Sequence, residues 1–211
     1  MSYEKLKNAV INFDRETAIN ETHKAVEEKK NIQEVIDKGL TEAMDVIGDK
    51  FSKEEIFVPH LLLSAQIMKA CIDILKPHLG KEKQVSKGKI VIGTVQGDLH
   101  DIGKNLVAMM MQSAGFEVID LGLNVSPENF VKTVKEKEAN VLGMSALLST
   151  TIPAMEKTIK KLEKEGIRDK VKIIVGGAPL NKEFADKIKA DCYASDAGTA
   201  VAEVKKMLGI V

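Results

Sequence analysis

The hydrophobic period of this chain changes once, near residue 88, and that change limits it to two kinds of structure joined in series. Up to about Leu79 apolar residues recur at helical spacing, as in Leu6, Val10 and Phe13 and again in Val35, Ile36, Leu40, Met44, Ile47 and Phe51. No alternating strand pattern interrupts them. Asp14 and Asn31 stand where helix N-caps belong, and Pro59 suits the first turn of a last helix carrying Leu63, Ile67, Cys71 and Leu75. The spacing predicts a bundle of about four helices.

The run Gly80-Lys81-Glu82-Lys83-Gln84-Val85-Ser86-Lys87-Gly88 has the composition of a linker, which places a boundary between a domain over 1–88 and another over 89–211. Beyond it, short apolar runs alternate with amphipathic stretches. Strands are expected at Lys89–Val95, Glu117–Leu121, Val141–Ser145, Val171–Val175 and Cys192–Ala194. Helices are expected at Lys104–Ala114, Glu128–Glu138, Pro153–Glu165, Asn181–Lys189 and Gly198–Leu208. Five such units imply an α/β domain whose parallel sheet is covered by helices on both faces.

Sheets of this kind bind ligands beyond the carboxyl ends of their strands. After the first strand comes Gln96-Gly97-Asp98-Leu99-His100-Asp101-Ile102-Gly103, and after the third Ala146-Leu147-Leu148-Ser149-Thr150-Thr151. Gly176-Gly177-Ala178-Pro179 follows the fourth, and Ser195-Asp196-Ala197-Gly198 the fifth. Asp98 and His100 are two apart, so an extended segment sends both side chains to one side. A carboxylate bonded to Nδ1–H fixes the imidazole tautomer and leaves Nε2 for a metal or a proton. Gly103 is expected to let the backbone turn and Asp101 to cap the next helix. Ser145, Ser149 and Thr151 offer hydroxyls to the same edge, or serve as backbone caps. Gly176-Gly177 allows close approach of a bulky ligand, or forms a plain strand-to-helix turn.

Several classes of function are disfavoured. Lys plus Arg and Asp plus Glu are equal at 31 each, so the chain as a whole has no general attraction to nucleic acid or anionic lipid. No glycine-rich phosphate cradle follows a strand, and no serine or cysteine nucleophile motif occurs. Cys71 and Cys192 stand apart from any ligand spacing and are expected as reduced thiols. Residues Met1–Leu6 lack the apolar core of a signal peptide, and no apolar run approaches the roughly 20 residues of a membrane span, so a cytoplasmic protein is expected.

The run Gly97-Asp98-Leu99-His100-Asp101-Ile102-Gly103-Lys104-Asn105, with Ser145-Ala146-Leu147 starting 45 residues after His100 and then Gly176-Gly177-Ala178-Pro179, resembles the B12-binding module of cobalamin-dependent methyltransferases. Gly48-Asp49-Lys50-Phe51 and Ile56-Phe57-Val58-Pro59 resemble the helical cap of the same module, so the likeness covers essentially the whole chain. It is strongest to the free-standing corrinoid proteins of methyl-transfer systems. The resemblance implies a four-helix cap followed by a Rossmann-like, flavodoxin-like five-stranded domain that binds a cobalamin-type corrinoid. It implies that His100 displaces the cofactor's own base as the lower cobalt ligand, with Asp98 as its hydrogen-bond partner and the Thr151 hydroxyl behind Asp98, where the family more usually has serine. Asp101, Ile102, Gly103 and Ala178 fall among the implied cofactor contacts. The resemblance also implies that Ser145, Leu147, Ser149, Gly176 and Gly177 line the displaced tail, with Asp196 and Ala197 near its end, and that Phe51 and Val58 cover the methyl-bearing face. His60, where the family often has glutamine, is given no role.

A carrier of this kind implies three partners: a substrate-specific methyltransferase, a second methyltransferase acting on tetrahydrofolate or a thiol, and a reductive activator. No nucleic acid or membrane partner is implied, and no catalysis by this chain alone. The competing readings are the small B12-binding subunit of a mutase, a B12-dependent regulator, and flavodoxin-like nucleotide binding.

Overall fold

Residues 2–78 and 86–210 are described by the structure, a computed structural model. The chain divides into two compact units, a helical one holding the described residues before 79 and an α/β one holding nearly all of those from Ser86 on. Most of the expected linker lies outside the described residues.

The helical unit has four rods. They are α1 (Tyr3–Ile11), α2 (Arg15–Glu27), a continuous stretch of α3 (Ile32–Glu34), a π-helical segment (Val35–Thr41) and α4 (Glu42–Ser52), and finally α5 (Val58–Leu75). Asp14 caps α2 by accepting the Thr17 N–H at 3.0 Å, and Asn31 caps α3 by accepting that of Glu34 at 3.1 Å. Leu6, Val10, Val35, Leu40, Ile47, Leu61, Ile67 and Leu75 are fully buried and form an aliphatic core. Phe13 leaves the stripe expected of it, because it sits past the end of α1 in a turn with φ +61°. The expectation that no run reaches the length of a membrane span is also corrected. Val58–His78 is long and apolar enough by length and composition. Its Leu61, Ile67, Met68, Cys71 and Leu75, however, are buried within the helical unit, as in a core helix.

The α/β unit runs β1 (Lys89–Thr94), α6 (Ile102–Ser113), β2 (Glu117–Asp120), α7 (Pro127–Lys137), β3 (Val141–Ser145), α8 (Pro153–Lys164), β4 (Lys172–Gly176), α9 (Lys182–Lys187), β5 (Cys192–Ala194) and α10 (Ala197–Met207). All five strands are parallel, in the order β2-β1-β3-β4-β5. Val91, Leu142, Ile173 and Val175 from the strands pack with Phe130, Met155, Ile159 and Leu162 from α7 and α8 in one buried cluster. Ser126, Asn181 and Asp196 cap α7, α9 and α10 through side-chain oxygens on the N–H groups of Asn129, Phe184 and Thr199. The strand order reverses between β1 and β3. Their carboxyl ends therefore diverge into a crevice, and the loops that follow them form its walls.

Candidate functional site

The His100 loop begins with a tight turn. The Asp98 N–H donates to the Val95 carbonyl at 3.1 Å, and Gly97 takes φ +85°, a conformation open to glycine at no steric cost. A side chain at Gly97 would also approach the Thr151 methyl at 3.4 Å. Asp98 is thereby aimed inward and has no solvent exposure.

Both carboxylate oxygens of Asp98 are engaged. Oδ1 accepts the His100 backbone N–H at 3.1 Å and lies 2.8 Å from His100 Nδ1. Oδ2 accepts the N–H groups of Leu147 at 2.8 Å and Leu148 at 3.1 Å, and the Thr151 hydroxyl at 2.8 Å. The Thr151 oxygen is equally near the Leu148 carbonyl, but its single proton goes to the charged acceptor, which forms the stronger bond. Burial alone pushes the Asp98 carboxyl upward. The bonds from His100, Leu147, Leu148 and Thr151 outweigh burial and hold it well below the usual carboxylate range. Asp98 is therefore an anion at neutral pH, and its Oδ1 accepts a hydrogen bond from the Nδ1–H of His100. The remaining lone pair of the neutral ring is on Nε2, in a side chain that is 51% exposed.

The two side chains meet through a short turn in which Asp98 accepts the N–H two residues on, rather than through the straight extension expected from the sequence. Leu99, Ile102, Leu147, Leu148 and Leu123 are large apolar side chains that are 40% or more exposed on the loops around His100. A half-exposed imidazole among exposed leucines and an isoleucine suits a flat, largely apolar ligand with an electron-pair acceptor at its centre. Thr151→Val keeps the volume and removes only the donor to Asp98, and should cost about 1–2 kcal/mol in a urea melt, with Thr151→Ser near neutral. An unchanged midpoint for the valine variant would show that the hydroxyl does not support Asp98.

Other expected residues fare differently. Gly103 is not the turn residue, because α6 starts at Ile102 and Gly103 lies in its first turn; a Cβ there would meet nothing within 4 Å. Asp101 precedes α6, and its carboxylate accepts the side-chain amide of Asn105 at 3.0 Å. Gly177 has φ +135°, and a Cβ on it would stand 1.9 Å from the Ala146 carbonyl oxygen, while one on Gly176 would approach the Ala194 carbonyl at 3.1 Å. These glycines make room for the protein's own backbone, so the turn reading accounts for them. Ala178 follows in the same β4 to α9 turn. The Ser145 and Ser149 hydroxyls have no side-chain hydrogen bond among the described residues, unlike Thr151. The Asp196 carboxylate is held by Thr199 and Ser195 at the start of α10, which Ala197 begins. In the helical unit Phe51 is half-buried near the end of α4. Val58 opens α5 with its side chain exposed, as are those of Phe57, Leu62 and Leu63. The Nδ1 of His60 accepts the Phe57 N–H at 3.2 Å, which gives His60 a capping role at the start of α5.

The second strand end carries residues that the reading of the other four ends passes over. Asn124 bonds both Gly97 and Asp98, and Asp120 pairs with buried Lys104. Thr94, fully buried, donates its hydroxyl to the His100 carbonyl at 2.9 Å. A Gly122-x-Asn124 sequence after a strand is a turn signal, and asparagine is among the residues that tolerate φ > 0.

Fold and site together define a doubly wound α/β ligand-binding protein with a carboxylate-backed histidine at its switch point. Residues 88–205 match the family described as B12 binding domain, and residues 2–76 match a second family of the same description. A dimethylamine corrinoid protein of Methanosarcina barkeri is 44% identical over 97% of this chain and 96% of its own length. The solved cobalamin-binding protein of Desulfitobacterium hafniense matches with a TM-score of 0.86 at 32% identity, covering 98% of each chain. A methanol:cobalamin methyltransferase complex of Methanosarcina barkeri matches with a TM-score of 0.85 at 26% identity, covering 98% of this chain and 79% of that one. This chain belongs to the B12-binding corrinoid proteins of methyltransferase systems.

Proposed function

We propose that the chain is a methyl carrier that holds a B12-type corrinoid with His100 as the lower cobalt ligand, the cofactor's own base being displaced. The observation that carries this reading is the Asp98–His100 pair, in which an ionised, buried carboxylate accepts the Nδ1–H hydrogen bond and leaves the Nε2 lone pair as the donor to a metal. The donor set fits as well. Among the described residues no group of three or more His, Cys, Asp or Glu could hold a metal ion. A lone histidine suits a metal whose other ligands come from a macrocycle of its own. When bound, the corrinoid supplies a cobalt centre that accepts a methyl group and gives it up again.

The protein residues do the rest. Asp98 holds the imidazole in one tautomer and one orientation, and Thr151, Leu147 and Leu148 hold Asp98. Leu99, Ile102, Leu147 and Leu148 offer apolar surface to the ring. Asp101 and Gly103 lie beside them at the start of α6. Ser145 and Ser149 offer hydroxyls to the displaced tail, with Gly176, Gly177 and Ala178 shaping the adjoining turn and Asp196 and Ala197 at its far side. Phe51 and Val58 belong to the same proposal as cover for the methyl-bearing face.

The relative named for dimethylamine and the one solved as a methyltransferase complex support a methylamine as the methyl source and a methyltransferase as the partner. A second methyltransferase acting on tetrahydrofolate or a thiol, and a reductive activator, complete the proposed system. Titrating the purified chain with hydroxocobalamin tests the core of the reading. One equivalent is expected to bind with a shift of the cobalamin absorption bands, and flavin mononucleotide is expected not to bind. Binding of the flavin in preference to hydroxocobalamin would overturn it.

A further inference from the structure

We propose that the end of β2 and the segment that follows it are a positioning clamp for His100, gripping the His100 loop on both flanks through Asn124 and Asp120; this rests on the reading of His100 as the cobalt ligand. On the near flank the Gly97 N–H donates to Asn124 Oδ1 at 2.7 Å, and the Asn124 N–H donates to the Asp98 carbonyl at 3.1 Å. The backbone of Asn124 is left-handed, φ +52°, which aims its side chain and its own N–H at consecutive groups of the neighbouring loop. On the far flank Lys104, with a side chain only 2% exposed, donates to the Asp120 carboxylate and, at 2.6 Å, to Asn105 Oδ1. The other Asp120 oxygen accepts the Gly122 N–H at 2.8 Å. Asn105 in turn holds Asp101 at 3.0 Å.

The clamp is itself fastened to β1. The Thr94 N–H donates to the Gly122 carbonyl and the Val125 N–H to the Thr94 carbonyl, both at 2.9 Å. Asp98 is consequently held from both neighbours of β1, by its carboxylate to the loop after β3 and by its carbonyl to the loop after β2. His100, lying between Asp98 and Lys104, has neither end of its loop free to shift. A metal–ligand bond tolerates displacements of only a few tenths of an ångström, so restraint of this kind bears on ligation as well as on folding. Asn124 and Asp120 are positioning residues, since they act through Asp98 and Lys104.

Asn124→Gly removes Oδ1 while permitting the same backbone; Asn124→Asp restores an oxygen acceptor at the same place. In the unloaded protein Asn124→Gly is expected to speed amide exchange at Gly97, and Asn124→Asp to leave it slow. With hydroxocobalamin as the probe, Asn124→Gly and Asp120→Ala are each expected to raise the dissociation constant up to about 10-fold, less than the roughly 10–100-fold that follows loss of a direct partner of the ligand. Both are also expected to lower the fraction of cofactor showing the histidine-ligated spectrum, at temperatures where circular dichroism shows each variant folded. Asn124→Asp is expected to behave as the unaltered protein.

Unchanged affinity and spectrum in Asn124→Gly would overturn the clamp while leaving His100 as the ligand. So would an Asn124→Asp variant as impaired as the glycine one. Absence of any histidine-ligated spectrum in the unaltered protein would overturn both readings together.

Discussion

Replacing His100 with alanine is expected to weaken hydroxocobalamin binding by at least about 100-fold, or to leave cofactor bound through its own base with the corresponding change of spectrum. The magnitude follows from the outer-shell rule, since the loss of a supporting partner already costs 10–100-fold in metal affinity and the ligand itself is worth no less. The unloaded variant should fold normally, because the imidazole is half exposed and its removal frees only one of the acceptor positions on Asp98. A circular dichroism melt beside the binding titration separates the two effects. A variant that binds with unchanged affinity and spectrum would remove His100 from the metal.

Asp98 should behave in the opposite way, with a large effect on the unloaded protein. Asp98→Ala deletes the carboxylate that accepts the N–H groups of His100, Leu147 and Leu148 and the Thr151 hydroxyl. Leaving such donors without a partner at a site with no solvent exposure is expected to cost about 3–5 kcal/mol in a urea titration. A loss below about 1 kcal/mol would mean that the loops are held by something else.

Acid stability gives an independent reading of the same group. The folded carboxyl titrates below the range of an unfolded aspartate, about 3.9. The unfolded chain therefore binds more protons as the pH falls through that range, and stability rises with pH there. The contribution is complete above about pH 5 and is lost progressively below it. Asp98→Asn, with no proton to gain at this position, should show a shallower loss of stability on the acid side than the unaltered protein.

The change of period near residue 88 already separates a helical bundle from a β/α alternation, and most strand and helix bounds follow within one or two residues. The reason is physical: the buried strands are short continuous apolar runs, and the helices carry their own caps in Asp14, Asn31, Ser126, Asn181 and Asp196. Bounds slip where a run is apolar on both sides of its end. Val171 and Gly176 trade places at β4 in this way. The start of α6 at Ile102 rather than Lys104 has a larger consequence, since it moves Gly103 from the turn into the helix and leaves Gly97 as the residue with positive φ.

Asp98 and His100 are legible as a pair because they stand two positions apart. Thr151 stands 53 residues from Asp98, and although the third strand end offers its hydroxyl to the edge, its link to Asp98 enters only through resemblance, because no local period links positions that a sheet brings together. Gly176-Gly177 shows the limit of composition: a glycine pair signals that something comes close, not what. Here the close neighbour of Gly177 is the Ala146 carbonyl. Lys104 is read only as the start of a helix, and Asn124 and Asp120 are passed over because the end of β2 carries nothing but a turn signal. Their partners lie on the His100 loop, which that strand approaches only in the folded sheet.

In the proposed holoprotein a nitrogen of this chain, at His100, is the lower cobalt ligand. This ligation is tested most directly by electron paramagnetic resonance of the cob(II)alamin-loaded protein, with the chain uniformly labelled with nitrogen-15 and the cofactor left unlabelled. Each cobalt hyperfine line is then split by the single axial nitrogen, into two by nitrogen-15 or into three by nitrogen-14. Doublets that disappear in His100→Ala are the predicted result. Triplets, from the cofactor's own base, or lines with no nitrogen splitting, would contradict it.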